Sequence, residues 1–178
     1  THKQIFLPPL TINTLSNKSV KITGKLFPFC SEGFIVNSKD TFQDLLKVWP
    51  HYLLFLKAKK DFQLNIEENI IFLRSSTKKK IKIENVNEML ANYLSFYFKS
   101  SSEGTLVIPD WALELGKYTP GNEIEIFEQF VSDPFNPCYN EYLKWIFRFS
   151  KPTANDIANA YEEYKEVYEN IYDLWAQK

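Results

Sequence analysis

Three consecutive lysines, Lys78, Lys79 and Lys80, with Arg74 and Lys82 close by, form the densest chemical signal in the chain. Clustered cations attract phosphate without reading base sequence, and that attraction falls steeply with salt. Lysines crowded at a hairpin tip also serve a plainer end, keeping a sheet edge from pairing with another chain. Carboxylates stand in pairs at Glu67-Glu68 and at Glu123 and Glu125, a pattern that solvated surfaces produce more often than acid–base sites do. The 5 glycines make no phosphate loop or dinucleotide fingerprint, and His2 and His51 are too few and too isolated for a metal site or a catalytic triad. No nucleotide, metal or other cofactor is expected.

The elements that position these groups are read from periodicity. Ile5 to Leu15 alternates Leu10 and Ile12 with Thr11 and Asn13, as a first strand with an extended Pro8-Pro9 segment, and Ser16-Asn17-Lys18 supplies a turn. From Val20 to Lys39 a second and third strand follow, joined at Ser31-Glu32-Gly33. The three make an antiparallel meander ending at Asn37. Strand side chains repeat every two residues, so Asn37 and Lys39 are expected on one face.

From Thr41 the pattern turns helical, with Phe42, Leu45, Leu46, Trp49, Leu53 and Leu56 on one stripe and Pro50 expected to kink or break it. After a Lys59-Lys60-Asp61 link, Asn69 to Ser75 and Lys80 to Ile83 read as a hairpin with Ser76-Thr77-Lys78-Lys79 at its tip. Asn85 reads as an N-cap with Glu88 three residues on, opening a helix that ends before Ser100. A short strand is expected at Thr105 to Ile108, stopped by Pro109. Beyond Trp111 come helices through Leu115, near Asn122 to Val131, near Tyr139 to Phe149, and a long one from Ile157 to Trp175 with Thr153 as N-cap. That last helix is aromatic on one side and acidic on the other, which suits core packing or a partner-facing seam.

The hairpin with Gly24-Lys25-Leu26-Phe27 followed by Asn37-Ser38-Lys39 resembles that of RecB-type exonucleases of the PD-(D/E)XK fold, which carry Gly-Lys-Ile-Asp and then Asp-x-Lys. Leu7-Pro8-Pro9-Leu10, the Leu45 to Leu53 run with Trp49 and His51, Phe72-Leu73-Arg74 and Gly104 to Pro109 extend the resemblance over nearly the whole chain. Together they resemble the C-terminal domain of the RecC (gamma) subunit of exodeoxyribonuclease V, the RecBCD helicase-nuclease. The resemblance implies an α+β fold: a restriction-endonuclease-like sheet with an N-terminal antiparallel meander, flanking helices and a C-terminal helical extension. It implies one domain over 1–178, with the sheet and its helices in 1–109 and the extension in 110–178.

At the matched positions both carboxylates are absent. Divalent cations need hard oxygen ligands, which Phe27 cannot offer and Asn37 offers only as a neutral carbonyl, so the retained Lys39 would face no activated water. A Gln-x-x-x-Tyr motif carried by active relatives is also missing, since Gln43 is followed four places on by Lys47. The resemblance therefore implies a non-catalytic domain in DNA repair and recombination that scaffolds RecB and RecD and guides or splits DNA, duplex and single-stranded. Arg74, Lys78, Lys79, Lys80 and Lys82 are its expected DNA contacts, with the Cys30 to Gly33 turn as another place for a strand-parting pin. Trp145 and Trp175 are expected at the subunit surface. A metal-dependent nuclease with relocated ligands and a generic protein-interaction domain stand as alternatives.

Composition bounds these readings. The chain has 178 residues, 44% hydrophobic and 16% aromatic, enough for a sizeable core in one domain. Net charge is −1, but residues 1–84 hold 14 Lys or Arg against 7 Asp or Glu and the remainder 7 against 15, a split that suits either a phosphate-facing and a protein-facing surface or ordinary solvated charges. No apolar run approaches a membrane span and no signal peptide is seen. Two distant cysteines, Cys30 and Cys138, point to reduced thiols and a cytoplasmic setting. A chain that opens on Thr1 and has Met89 as its one Met reads as a fragment or a processed chain.

Overall fold

The computed structural model describes the chain except residues 1, 2, 16, 17, 136–138, 140, 177 and 178, and leaves out the side chains of 3–5, 27, 142, 143 and 146. The fold is mixed α+β and divides into two compact units, Thr1–Ser102 with Leu174–Lys178, and Glu103–Asp173. The resemblance implies one domain whose sheet part ends at 109 and whose helical part runs to 178; the contacts instead divide the chain after Ser102 and group Leu174–Lys178 with the sheet.

The first unit is built on a five-stranded sheet whose strands lie in sequence order, β1 (Lys3–Asn13), β2 (Ser19–Cys30), β3 (Gly33–Val36), β4 (Asn69–Phe72) and β5 (Thr77–Lys80). β1, β2 and β3 are antiparallel neighbours, β4 runs parallel to β3, and β5 returns antiparallel. The parallel step needs a crossover, which α1 (Phe42–Asp61) supplies. Every residue of Gly33-Phe34-Ile35-Val36 is buried, as a central strand covered on both faces should be.

Helix α1 opens on the Thr41 side chain, which accepts the Asp44 N–H at 3.2 Å. Its stripe of Leu45, Leu46, Trp49, Tyr52, Leu53 and Phe55 is at most 1% exposed, each side chain contributing about 1.5–3 kcal/mol of burial. The rings of Tyr52 and Phe55 pack on Phe34 of β3, which fixes the face of the sheet that the helix covers. Of the two outcomes expected at Pro50, a kink or a break, the break does not occur. The proline forfeits one backbone hydrogen bond, and the continuous apolar stripe on both sides of it holds the rod together. The Lys59-Lys60-Asp61 link is likewise the last turn of α1.

Other expectations shift. α2 (Val86–Glu103) starts where Asn85 caps it, with Glu88 N–H donating to Asn85 Oδ1, but runs through Ser100–Ser102 instead of ending before them. Ser101 and Ser102 hydroxyls donate back to carbonyls of Tyr97, Phe98 and Lys99, the arrangement by which a serine inside a helix satisfies its hydroxyl. Thr105 to Ile108 is not a strand: the Thr105 hydroxyl accepts the Val107 N–H and curls the backbone into Pro109–Trp111, a single 3-10 turn. The strand following a helix in this sheet is β4. The turn expected at Ser16-Asn17 lies outside the described residues.

The second unit holds α3 (Ala112–Leu115), α4 (Glu123–Val131), α5 (Glu141–Ile146) and α6 (Ala154–Tyr164), and the buried Trp111 ring stacks on Phe130 of α4 with centroids 3.9 Å apart. The Thr153 cap of α6 is a full capping box with Asp156, whose carboxyl is held below its usual range by the Thr153 N–H and hydroxyl. After α6 the helix passes through a π-helical segment, Lys165–Glu169, and resumes as α7 (Asn170–Ala176). No helix among the described residues is long and apolar enough to cross a membrane.

Two buried tyrosines set a pH dependence. The Tyr52 hydroxyl donates to the Glu68 carbonyl at 2.7 Å, and burial raises its pKa well above the usual tyrosine value; burial raises Tyr164 to about 12. A raised folded pKa stabilises the fold below the unfolded value near ~10, and that stability is lost as pH climbs through the folded values. Urea midpoints are expected to hold to about pH 10 and then fall. Tyr52→Phe costs about 1 kcal/mol at pH 8 through the lost hydrogen bond, yet falls less steeply above pH 10. Parallel curves for the two proteins would contradict this.

Candidate nucleic-acid interface

The lysine cluster is not at a hairpin tip. The β4–β5 turn is Leu73 to Ser76, and Lys78, Lys79 and Lys80 lie along β5, which begins three residues earlier than expected, with Lys82 beyond it. β5 is an edge strand, where lysines are tolerated because one rim meets water. Their side chains alternate faces. Lys78 pairs with Glu32 at 3.2 Å, and Lys79 pairs with Asp40 at 3.2 Å while its ammonium lies 4.5 Å over the Trp175 ring. Arg74, Lys80 and Lys82 are exposed and make no ion pair among the described residues.

Asn37 and Lys39 do not share a strand face either. β3 ends at Val36, and Asn37 to Asp40 form a loop, exposed at Asn37 and Lys39, in which the Lys39 N–H donates to Asp44 Oδ2. Phe27 lies in β2, but its side chain is outside the described residues. The structure nevertheless brings the two groups of predicted residues together. Leu73 N–H donates to the Val36 carbonyl, Arg74 N–H to the Ser38 carbonyl, and Asp40 N–H to the Ser75 hydroxyl, stitching the β4–β5 turn to the Asn37 loop.

One carboxylate of that loop is already committed. Asp40 Oδ1 accepts the Trp175 indole N–H at 3.3 Å besides pairing with Lys79, and Trp175 packs on Phe42 of α1 with ring centroids 5.7 Å apart. Trp175, expected at a subunit surface, is thus engaged within its own unit. Of the sequence-paired carboxylates, Glu68 is bound by Lys59 at 2.7 Å and held below its usual pKa by that bond, while Glu123 accepts the Gly121 N–H. Among the described residues no group of three His, Cys, Asp or Glu is placed to hold a metal ion. Cys30 is a half-buried free thiol; Cys138 lies outside the described residues.

A second basic surface was not evident in the sequence. Only Phe29 and Cys30 of β2 pair with β3, so β1 and the rest of β2 continue as a two-stranded ribbon. At roughly 3.3 Å per residue the ribbon runs about 30 Å. One face is buried through Leu7, Leu10, Ile12 and Leu26. The other exposes Lys21 opposite Thr11 and Lys25 opposite Phe6, with Lys25 Nζ 4.9 Å from the ring of Phe6, which is 68% exposed. Lys18 follows near the ribbon's turn, and none of the three lysines makes an ion pair among the described residues. One signal could have found it: the first carboxylate in the whole sequence is Glu32. A surface of free ammonium groups with an exposed aromatic ring and no competing anion can hold phosphates and stack a base.

Comparison of the chain with protein-family models, with curated proteins and with solved structures finds no match.

Proposed function

We propose that this chain is a non-catalytic, nuclease-like domain of the RecC type, acting in a cytoplasmic helicase-nuclease by holding RecB and RecD and by guiding or parting DNA strands. The observation that supports the reading most is the order of the first unit, an antiparallel meander followed by a helix and a strand parallel to β3; by the resemblance, Phe27 and Asn37 correspond to the metal-binding carboxylates of a working PD-(D/E)XK nuclease. The engagement of Asp40 by Lys79 and Trp175 supports it further, because the nearest carboxylate of the Asn37 loop is neutralised from within. DNA contact falls to the ribbon's outer face, Lys18, Lys21 and Lys25, joined by Arg74, Lys80 and Lys82, since Lys78 and Lys79 are spent on carboxylates.

The test has two arms. Linear duplex incubated with the protein and Mg²⁺ or Mn²⁺ is expected to stay intact, and cleavage abolished by Lys39→Ala would overturn the silent-site reading. Duplex binding followed by anisotropy over a salt series is expected to weaken with the triple replacement of Lys18, Lys21 and Lys25 by Ala. The slope of log affinity against log salt should become shallower by about 2.7 if each lysine displaces one phosphate counterion. An unchanged slope would remove the ribbon from the interface. Co-purification with RecB and RecD tests the scaffold role.

A further inference from the structure

The second unit carries 14 Asp or Glu against 5 Lys or Arg over 103–173. Three of those cations are spent on glutamates: Lys117 on Glu114, Lys151 on Glu128 and Lys165 on Glu162. The other two, Lys144 and Arg148, have no carboxylate partner among the described residues, and they share one aromatic surface on and just beyond α5. The Arg148 guanidinium lies 4.7 Å from the ring of Trp145 and 4.1 Å from that of Phe149, and Lys144 Nζ lies 5.9 Å from the ring of Tyr139. Trp145 is 61% exposed and Phe149 84%. Tyr139, Glu141, Lys144, Trp145 and Arg148 line a shallow cavity of about 300 Å³.

We propose that this surface docks a short segment of a partner protein bearing one large apolar or aromatic side chain next to one or two carboxylates. The cavity lies at the lower limit of ligand pockets, about 300 Å³, which suits a single side chain. A guanidinium held between ring faces keeps its N–H edges free for bidentate pairing with a carboxylate, and losing no ion pair to do so makes that pairing favourable. Trp, Tyr and Arg are the side chains that anchor protein interfaces. Charge argues against nucleic acid: an extended strand of phosphates would meet nine more carboxylates than cations on this unit, whereas one or two acids seated at Lys144 and Arg148 face a single lining carboxylate, Glu141, against two cations. The inference rests on the partner-holding part of the proposed function and specifies its chemistry.

A random peptide library displayed on phage and selected against the whole chain tests it. Selected segments are expected to share an aromatic or large aliphatic residue beside Asp or Glu. As synthetic peptides they should lose at least about tenfold in affinity to Trp145→Ala and to Arg148→Gln, two exposed substitutions whose thermal unfolding should match the parent. Selection of basic segments, binding that both variants retain, or binding of a twelve-residue oligothymidylate that Arg148→Gln abolishes would each overturn the proposal. Peptide recognition without RecB or RecD association would leave this surface standing and reject only the choice of partner.

Discussion

Gly33→Ala is expected to unfold the first unit or cost it about 4 kcal/mol or more, a loss near the extreme for a single substitution. Gly33 sits at φ +143°, and a Cβ there would lie 2.2 Å from the Asn69 carbonyl oxygen and 2.8 Å from its carbon. Both are backbone atoms, so no side-chain rotation relieves the overlap. The neighbours cannot yield cheaply either: the Asn69 amide donates to the Glu32 carbonyl at 2.7 Å, and Glu67 N–H donates to the Ser31 carbonyl, clamping the β2–β3 turn onto the start of β4. Gly24 provides the control. Its φ of +144° is nearly the same, but a methyl group there would meet nothing within 4 Å. Gly24→Ala therefore reports backbone strain alone, about 1–3 kcal/mol. Urea denaturation of the two variants separates strain from overlap, and equal losses would show that the Asn69 contact is not what demands glycine.

This clamp shows what the sequence could and could not disclose. Ser31-Glu32-Gly33 announces a turn by composition, and the turn is there. The partner that makes glycine obligatory is 36 residues away, across a helix, and no local pattern carries that information. The same distance effect misplaced β5. Lys78 and Lys79 read as turn residues because lysine is a poor strand former, yet their register is set by pairing with Ile71 and Ile70 on β4, and the edge position relieves the penalty. Caps, by contrast, are local devices, and Asn85 and Thr153 were both legible. At the candidate interface the exposed ribbon was hidden for a different reason. A search for clusters of positive residues finds Lys78 to Lys80, whereas the ribbon's lysines are spread along β2 and become one surface only because β1 lends them Phe6 and Thr11 across the strand pair.

The second large effect is expected at Trp49, and it turns on where each indole sits. Trp49 is 1% exposed on α1 and packs near Tyr52 with ring centroids 5.8 Å apart, in the aromatic layer that Tyr52 continues to Phe34 of β3. Trp49→Ala removes the largest side chain of that layer and leaves a cavity that the buried backbone of a long helix cannot close, costing about 3–5 kcal/mol. Domains of this size have some 5–15 kcal/mol in all, so the variant should melt far below the parent and fail to bury its remaining aromatic rings. Trp111 is equally buried, but its indole N–H has no partner among the described residues, so Trp111→Phe should cost less than Trp49→Phe if that unpaired group offsets part of its packing. Trp145 marks the other extreme. At 61% exposure its replacement by Ala should change stability by no more than about 0.5 kcal/mol while erasing peptide recognition. Differential scanning calorimetry of the four variants orders the sites. A Trp145→Ala loss rivalling that of Trp49→Ala would place the α5 surface in a core and remove the physical basis for reading it as a docking site.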